Sequence, residues 1–146
     1  MEAHILVAED EARLRTIIRD YFTAHGLTCA LAKDGEEALE RTAQRTYDLI
    51  LLDVNLMGMD GFQVVQTLRQ RGVRTPIIIV SGRKEDYDTL YGLDIGADDY
   101  VTKPFNPVTL GAKVKALIRR SRNGLPGADS LITAGPFTYN TSTLRF

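Results

Sequence analysis

Cysteine is almost absent from this sequence, which contains one among 146 residues, together with two histidines and no tryptophan. No disulfide can therefore form within the chain, and Cys29, in an apolar stretch, is expected to be a small buried hydrophobic residue rather than a reactive thiol. No apolar run is long enough to cross a bilayer, and the first residues lack the pattern of a secretory signal. We therefore expect a cytoplasmic protein that does not enter a membrane.

An excess of charge of either sign is also missing. Eighteen Lys and Arg residues stand against 19 Asp and Glu, for a formal net charge of -1. The charge balance therefore gives no sign of the strongly basic surface that a nucleic-acid-binding domain needs. The hydrophobic content of 44% is sufficient for one core, so a single domain is the default expectation.

Apolar segments of strand type and of helix type alternate five times along the chain. Each short apolar run that ends on polar residues predicts a strand, and a segment with apolar residues at helical spacing follows it. The predicted strands are His4–Ala8, Leu27–Leu31, Leu49–Asp53, Pro76–Val80 and Tyr100–Thr102. This alternation predicts an α/β fold of the (βα)5 type, a doubly wound five-stranded parallel sheet with helices on both faces.

Two local signals refine the helix boundaries. Asp34 with Glu37 three residues later resembles a capping box at the start of the second helix. The fourth predicted helix continues through Ile95 and stops at Gly96.

The composition changes near residue 121, which predicts three regions. Residues 1–121 form the α/β domain, and residues 122–130, rich in glycine, proline and polar residues, form a linker. Residues 131–146 contain two short strand-like runs that are too few to build a core. The last region is therefore expected to be the start of a truncated second domain.

Reactive side chains stand at four predicted strand ends. Glu9 and Asp10 follow the first strand, and Asp53, Ser81 and Lys103 end or follow the third, fourth and fifth. Each alone has a structural explanation, since Asp10 can cap a helix, Ser81 can make a turn and Lys103 can be a solvated lysine. Because the carboxyl ends of parallel strands meet at one edge of a sheet, we expect these side chains to converge.

The chemistry that this set favours is phosphoryl transfer to a carboxylate. Three clustered carboxylates repel one another unless a cation lies among them, and oxygen ligands with room for water suit Mg²⁺. The ammonium of Lys103 and the hydroxyl of Ser81 can hold oxygens of a phosphoryl group. Positioning and charge neutralisation are the main requirements of such a transfer.

Four motifs carry a resemblance to a known family. They are Glu9-Asp10-Glu11, Asp53 with Asp60-Gly61 after it, Ser81, and Lys103-Pro104-Phe105. Over roughly residues 3–121 the chain resembles the receiver domain of response regulators in bacterial two-component systems. The resemblance implies the flavodoxin- and CheY-like strand order 2-1-3-4-5.

The same resemblance implies the roles of the carboxylates. Asp53 would be the phosphoacceptor, with a sensor histidine kinase as the donor. The domain would catalyse its own phosphorylation and dephosphorylation rather than act as an enzyme on a separate substrate. Mg²⁺ would be bound by Asp10, by Asp53 and by the backbone carbonyl of Asn55, with Glu9 acting through water.

Further implied roles concern the phosphoryl oxygens and the conformational response. Ser81 would bond one phosphoryl oxygen and Lys103 would pair with another, and the Lys103–Pro104 peptide would be cis. Phosphorylation would draw Ser81 inward, and the aromatic side chain of Tyr100 would follow it.

The segment Gly96–Phe105 is similar to that of the winged-helix regulators resembling OmpR and PhoB. In these proteins helix four, strand five and helix five form the face of a symmetric homodimer. The residues of this chain that occupy pairing positions there are Asp98, Asp99, Lys113 and Arg120. For exposed charges considered alone, a solvated surface is the simpler explanation. The departures from the family pattern that put the strength of the dimer in doubt are Thr89, Thr109 and Lys113.

The last region fits the same subfamily, because residues 131–146 resemble the first strands of a winged-helix DNA-binding domain. DNA binding is therefore expected of a longer parent protein and not of this chain, which lacks the recognition helix.

Two alternatives use other classes of function. A phosphatase that forms an aspartyl phosphate has a second acid two residues after its nucleophile, and Asn55 stands there. A receiver-like interaction module that acts without phosphorylation is expected to have lost an acid or the lysine, whereas all are present. A receiver that acts alone through partner proteins remains a third possibility, which the linker and the tail disfavour.

Overall fold

The computed structural model describes residues 2–56, 58–82 and 86–123, without the side chains of 86–89. The predicted strands of 131–146, most of the predicted linker and the side chain of Thr89 lie outside these residues. Strands and helices alternate along the chain as predicted. They are β1 Ala3–Ala8, α1 Ala12–Ala24, β2 Leu27–Ala32, α2 Gly35–Gln44, β3 Leu49–Asp53, α3 Gly61–Gln70, β4 Ile77–Ser81, α4 Asp86–Asp94, β5 Asp99–Thr102 and α5 Pro107–Arg122.

The five strands form one parallel sheet in the order β2-β1-β3-β4-β5, which confirms the predicted fold. β1 and β3 are neighbours at the centre, and Ala8 pairs with Leu52. Ser81 pairs with Thr102 across β4 and β5. The last residues of β1, β3, β4 and β5 therefore meet at one edge of the sheet.

The strands β1, β3 and β4 are buried on both faces, which explains why they are nearly continuous apolar runs. Alternate residues of β1, β3 and β4 point to opposite faces. One face packs with α2 and α3 in a single apolar cluster that includes Leu6, Ile50 and Ile79. On α1, the buried side chains are Ile18 and Phe22.

Aspartates cap two of the helices. The Asp34 carboxylate accepts the Glu37 N–H at 2.8 Å, as predicted, but the Glu37 side chain accepts from Lys33 N–H, one residue before the cap. The reciprocal capping box occurs instead at α3, between Asp60 and Gln63. In contrast to the sequence-based prediction, α4 ends at Asp94, one residue before Ile95.

Arg69 of α3 contacts four residues at the opposite edge of the sheet. Its guanidinium donates to the carbonyl of Gly96 twice, at 3.0 and 2.8 Å, and to the carbonyls of Val73 and Thr75 at 2.9 Å. It also donates to Asp98 Oδ2 at 3.1 Å, and that oxygen accepts the backbone N–H of Ile77. All five N–H groups of this rigid donor are thus used, which anchors the turn after α4.

The chain divides into two compact units, Met1–Ala112 and Lys113–Phe146. The first contains the whole sheet, and the second includes the later part of α5, in which Val114 and Ile118 are buried. Within the described residues, no helix has the length and apolar character needed to cross a membrane. Burial raises the pKa of the Cys29 thiol to about 11, so that half-buried side chain is a poor nucleophile.

Candidate functional site

Three carboxylates meet where the central strands end. Glu9 follows β1 and Asp53 ends β3, and because these strands are hydrogen-bonded neighbours, their terminal side chains lie close together. One oxygen each from Glu9, Asp10 and Asp53 falls within 4.8 Å of the others. Glu9 and Asp53 are each only 3% exposed, whereas Asp10 faces solvent.

Among the described residues, Lys103 supplies the only ammonium group that contacts these carboxylates. Its Nζ lies 3.2 Å from Glu9 Oε1 and 3.1 Å from Asp53 Oδ2. The position of the lysine is set by the sheet, because its backbone N–H donates to the carbonyl of Ser81 at 2.7 Å. The Lys103–Pro104 peptide is cis, as the family resemblance implied.

The charges of this cluster do not balance. With all groups ionised, the carboxylates of Glu9, Asp10 and Asp53 contribute three negative charges and Lys103 contributes one positive charge, which leaves two negative charges. The donor set is entirely oxygen, and one of its members is open to solvent. Hard divalent cations such as Mg²⁺ prefer these ligands and keep several waters. The residues present therefore fit a magnesium ion, in charge and in chemistry.

The titration of Glu9 reflects the same imbalance. Burial, followed by the charge of Asp53 and a hydrogen bond with it, raises the pKa of Glu9 to about 7, against the opposing effects of the Glu11 N–H and Lys103. For Lys103, burial alone would lower the pKa, but the hydrogen bonds and charges of Asp53 and Glu9 raise it overall. One ammonium thus cannot fully compensate two buried carboxylates.

Replacing Glu9 by glutamine is expected to change how stability depends on pH. The pKa of Glu9 is about 7 in the folded protein and about 4.5 when exposed, so the metal-free protein loses stability as pH rises from 4.5 to 7. Glu9→Gln removes this loss. In chelator, urea unfolding should show the variant gaining about 1–3 kcal/mol on the wild type between pH 5 and pH 8. Parallel curves for the two proteins would contradict the prediction.

Backbone contacts that sequence reasoning missed hold the site in place. Arg15 Nη1 donates to the carbonyl of Glu9 at 2.7 Å and to that of Asp10 at 3.3 Å, so the arginine holds the β1–α1 loop. The N–H of Gly61 donates to the carbonyl of Val54 at 2.8 Å, which draws the start of α3 against the end of β3. Gly61 belongs to a motif of the sequence, but neither it nor Arg15 carries a local pattern that predicts these contacts.

The other residues proposed at the site also lie at this edge. The N–H of Asn55 donates to Asp53 Oδ1 at 3.2 Å, so its backbone is adjacent to the acceptor. Ser81 is fully buried at the end of β4. Tyr100, on the neighbouring strand β5, is 9% exposed and belongs to the same apolar cluster as Phe62.

The residues predicted for the dimer face are distributed between the two units. Asp99 begins β5 and Asp98 directly precedes it, and the Asp98 carboxylate accepts a hydrogen bond from Arg69 of its own chain. Lys113, partly buried, and Arg120, exposed, lie on the part of α5 that belongs to the second unit. Their pairing across a dimer stays a prediction.

Comparison with known proteins places this geometry in a family. Residues 5–115 match the family described as response regulator receiver domain. The chain is 40% identical over 129 residues to the alkaline phosphatase synthesis transcriptional regulatory protein PhoP of Bacillus subtilis, with 88% of this chain and 54% of the relative covered. It is 39% identical over 120 residues to the transcriptional regulatory protein ResD of the same organism, with 82% and 50% covered. The chain thus spans about half the length of these relatives.

Solved structures agree with the sequence relatives. The receiver domain of the Francisella response regulator 1452 matches with a TM-score of 0.80 and 34% identity, over 82% of this chain and 98% of that one. The BeF3-activated N-terminal receiver domain of Klebsiella pneumoniae RstA matches with a TM-score of 0.76 and 30% identity, over 80% and 98%. The chain therefore belongs to the response-regulator receiver family of two-component systems, in the branch of OmpR- and PhoB-like regulators that its own motifs indicated.

Proposed function

We propose that this domain accepts a phosphoryl group on Asp53 from the phosphohistidine of a sensor histidine kinase, with Mg²⁺ bound beside the acceptor. One observation carries the proposal: the buried carboxylates of Glu9 and Asp53, the exposed carboxylate of Asp10 and one ammonium group meet at a single edge of the sheet, where two negative charges remain uncompensated. A purely structural ion pair does not need this excess of acid, which costs folding energy unless a cation is bound.

The proposed transfer step uses these side chains. A carboxylate oxygen of Asp53 attacks phosphorus, the bond between phosphorus and the histidine nitrogen breaks, and that nitrogen keeps the electron pair. Lys103, whose Nζ lies 3.1 Å from Asp53 Oδ2, would pair with a phosphoryl oxygen, and Ser81 at the end of β4 would bond another. Glu9, Asp10, Asp53 and the carbonyl of Asn55 would hold Mg²⁺, which neutralises charge on the transferred group. Attack of water on the phosphoryl group later restores the carboxylate and releases inorganic phosphate.

The consequence of phosphorylation is proposed to be a population shift that favours a homodimer. The phosphoryl group would favour the conformer in which Ser81 and Tyr100 lie inward, and association through α4, β5 and α5 would favour the same conformer. The described outer surface of α4 supports such a contact, because Leu90, Tyr91 and Leu93 are 66%, 44% and 40% exposed. Adjacent apolar side chains of this kind mark an interaction surface more often than a solvated one.

The parent protein is proposed to be a transcriptional regulator that acts in the cytoplasm. The relatives that share the sequence are named transcriptional regulatory proteins and are about twice as long as the matched region. A winged-helix DNA-binding domain after residue 131 would supply DNA binding. A receiver-like module that acts without phosphorylation is the main alternative, and an aspartyl-phosphate phosphatase is a weaker one because position 55 carries asparagine.

Intact-mass measurement after incubation with acetyl phosphate and Mg²⁺ tests the proposal. The wild type should gain one phosphoryl group, and Asp53→Asn should gain none because an amide is not a nucleophile of this kind. Asp20→Asn, which alters an exposed aspartate of α1, is the matched control and should gain the group normally. Sedimentation of the same samples then measures dimer formation. No gain by the wild type would support the phosphate-independent module instead.

A further inference from the structure

We propose that Gly92 is a positioning residue for the response to phosphorylation: the missing side chain lets α4 lie directly against Tyr100, which allows that ring to occupy its inward position. The inference rests on the proposed function, in which inward Tyr100 is linked to dimer formation. It adds a residue that does not contact the phosphoryl group, the metal site or the proposed partner.

The space around Gly92 is tight even for a methyl group. A Cβ atom on this residue would lie 3.1 Å from Ile79 Cδ1, 3.1 Å from Tyr100 Cδ2 and 3.2 Å from Phe62 Cε1. Carbon atoms in contact normally stay at about 3.5–4.0 Å. At least one of the three neighbours must therefore move when glycine is replaced by alanine.

Two of these neighbours have little freedom to move. Ile79 is fully buried on β4, inside the sheet. Phe62 is 6% exposed, and its ring packs edge-on against that of Tyr91, with 5.1 Å between the centroids. Displacing either residue would disturb a densely packed core. Tyr100 is different, because it lies on β5, the edge strand of the sheet, which has a neighbouring strand on one side only.

The helix itself is also held against a shift. The carbonyl of Gly92 accepts the N–H of Ala97 at 3.1 Å, and Arg69 holds the carbonyl of Gly96 with two hydrogen bonds. Moving α4 outward would strain these bonds to the turn that follows it. Swinging the Tyr100 ring outward is the smaller change, so a Cβ at position 92 should favour the outward ring.

The position of Tyr100 is connected to the phosphoacceptor site along two paired strands. Tyr100 pairs with Ile79, and two residues further on Thr102 pairs with Ser81. A Cβ at Gly92 would contact the ring of Tyr100 but neither Glu9 nor Asp53, so the substitution should act on the ring and on the proposed dimer face of α4, β5 and α5. This separation provides the test.

Gly92→Ala is compared with Gly111→Ala, which makes the same change inside another helix. A Cβ at Gly111 would meet Tyr21 Cε2 at 3.4 Å, an ordinary contact. With acetyl phosphate and Mg²⁺, both variants should take up one phosphoryl group at a rate within about twofold of the wild type. The ring resonances of Tyr100, assigned with Tyr100→Phe, should move toward solvent-exposed values in Gly92→Ala alone. Its phosphorylated dimer should associate about tenfold more weakly, within the usual range of coupling between sites.

A double variant distinguishes repositioning from general damage to the fold. In Gly92→Ala/Tyr100→Ala the contact between the new Cβ and the ring is gone, and the space the ring leaves lets the Cβ draw back from Ile79 and Phe62, so the two substitutions should be strongly non-additive in urea unfolding. Additive effects would overturn the inference, as would a Gly92→Ala protein with wild-type Tyr100 resonances and wild-type dimer formation. Failure of the wild type to take up a phosphoryl group would instead overturn the proposed function, so the two failures are distinguishable.

Discussion

Replacing Lys103 by methionine is expected to destabilise the metal-free protein and to disable the phosphoacceptor site, although the two side chains have similar lengths. The substitution removes the ammonium that lies 3.2 Å from Glu9 and 3.1 Å from Asp53, two carboxylates that are almost completely buried. Breaking a buried ion pair by removing one partner leaves an uncompensated charge. Because the Lys103 side chain is 27% exposed, we expect a loss of about 2 kcal/mol at pH 8, below the value for a fully buried pair.

The pH dependence of this loss identifies its cause. Glu9 has a pKa of about 7 beside the lysine, and removing the lysine raises that pKa further. The destabilisation should therefore be largest above pH 7, where Glu9 is ionised, and should shrink toward pH 5, where it binds a proton. Urea unfolding in chelator at several pH values measures this. Lys33→Met, which alters an exposed lysine, is the control and should leave stability unchanged at every pH.

Magnesium should act in opposite ways on the stability and the chemistry of the same variant. Without Lys103 the uncompensated charge of the cluster rises from two to three, so added Mg²⁺ should stabilise Lys103→Met more than the wild type. Phosphoryl uptake from acetyl phosphate should nevertheless fall by about a hundredfold, the usual effect of removing one group that stabilises developing charge. An unchanged uptake rate would show that Lys103 has a structural role only.

The sheet and the site were predictable from the sequence because both depend on short patterns. A strand buried on both faces is a continuous apolar run, so Leu49–Asp53 could be located together with the side chain that ends it. Once the strands are parallel, their carboxyl ends share one edge, and the convergence of Glu9, Asp53 and Lys103 follows from the topology. The feature that identifies a site residue is therefore its position at the end of an apolar run.

Contacts between distant segments were not predictable, since no local pattern encodes them. In the sequence Arg69 is one more polar residue on α3, yet three of its five hydrogen bonds connect that helix to Gly96 and Asp98, almost thirty positions away. The close approach of α4 to Tyr100 depends on a glycine within the helix. Helix propensity alone would count this glycine only as destabilising. The raised pKa of Glu9 likewise requires knowledge of burial and of the distance to Asp53.

Replacing Gly61 by alanine is the second substitution with a large expected effect, and it acts on the backbone of the acceptor. A Cβ at Gly61 would clash with the carbonyl oxygen of Asp53 and would lie 2.8 Å from the Cα of Val54. These are main-chain atoms of a central strand and the residue after it, so no rotamer change can relieve the overlap. The hydrogen bond from Gly61 N–H to the Val54 carbonyl, 2.8 Å long, holds the two segments at this distance.

We expect Gly61→Ala to lower the free energy of unfolding by about 3 kcal/mol, the upper range for an overpacked site. The higher helix propensity of alanine offsets less than about 1 kcal/mol of the strain. Urea unfolding measures the loss, and Gly111→Ala is again the matched control, expected to be neutral or slightly stabilising. Where the variant still folds, the strand end must move away from α3 and carry the Asp53 carboxylate with it. Uptake of a phosphoryl group, measured on folded protein only, should therefore fall by at least tenfold, since a displacement of about 1 Å is enough to disrupt such a reaction. Wild-type stability with wild-type uptake would mean that the close approach of α3 does not position the acceptor, and that the ion pairs with Lys103 are sufficient.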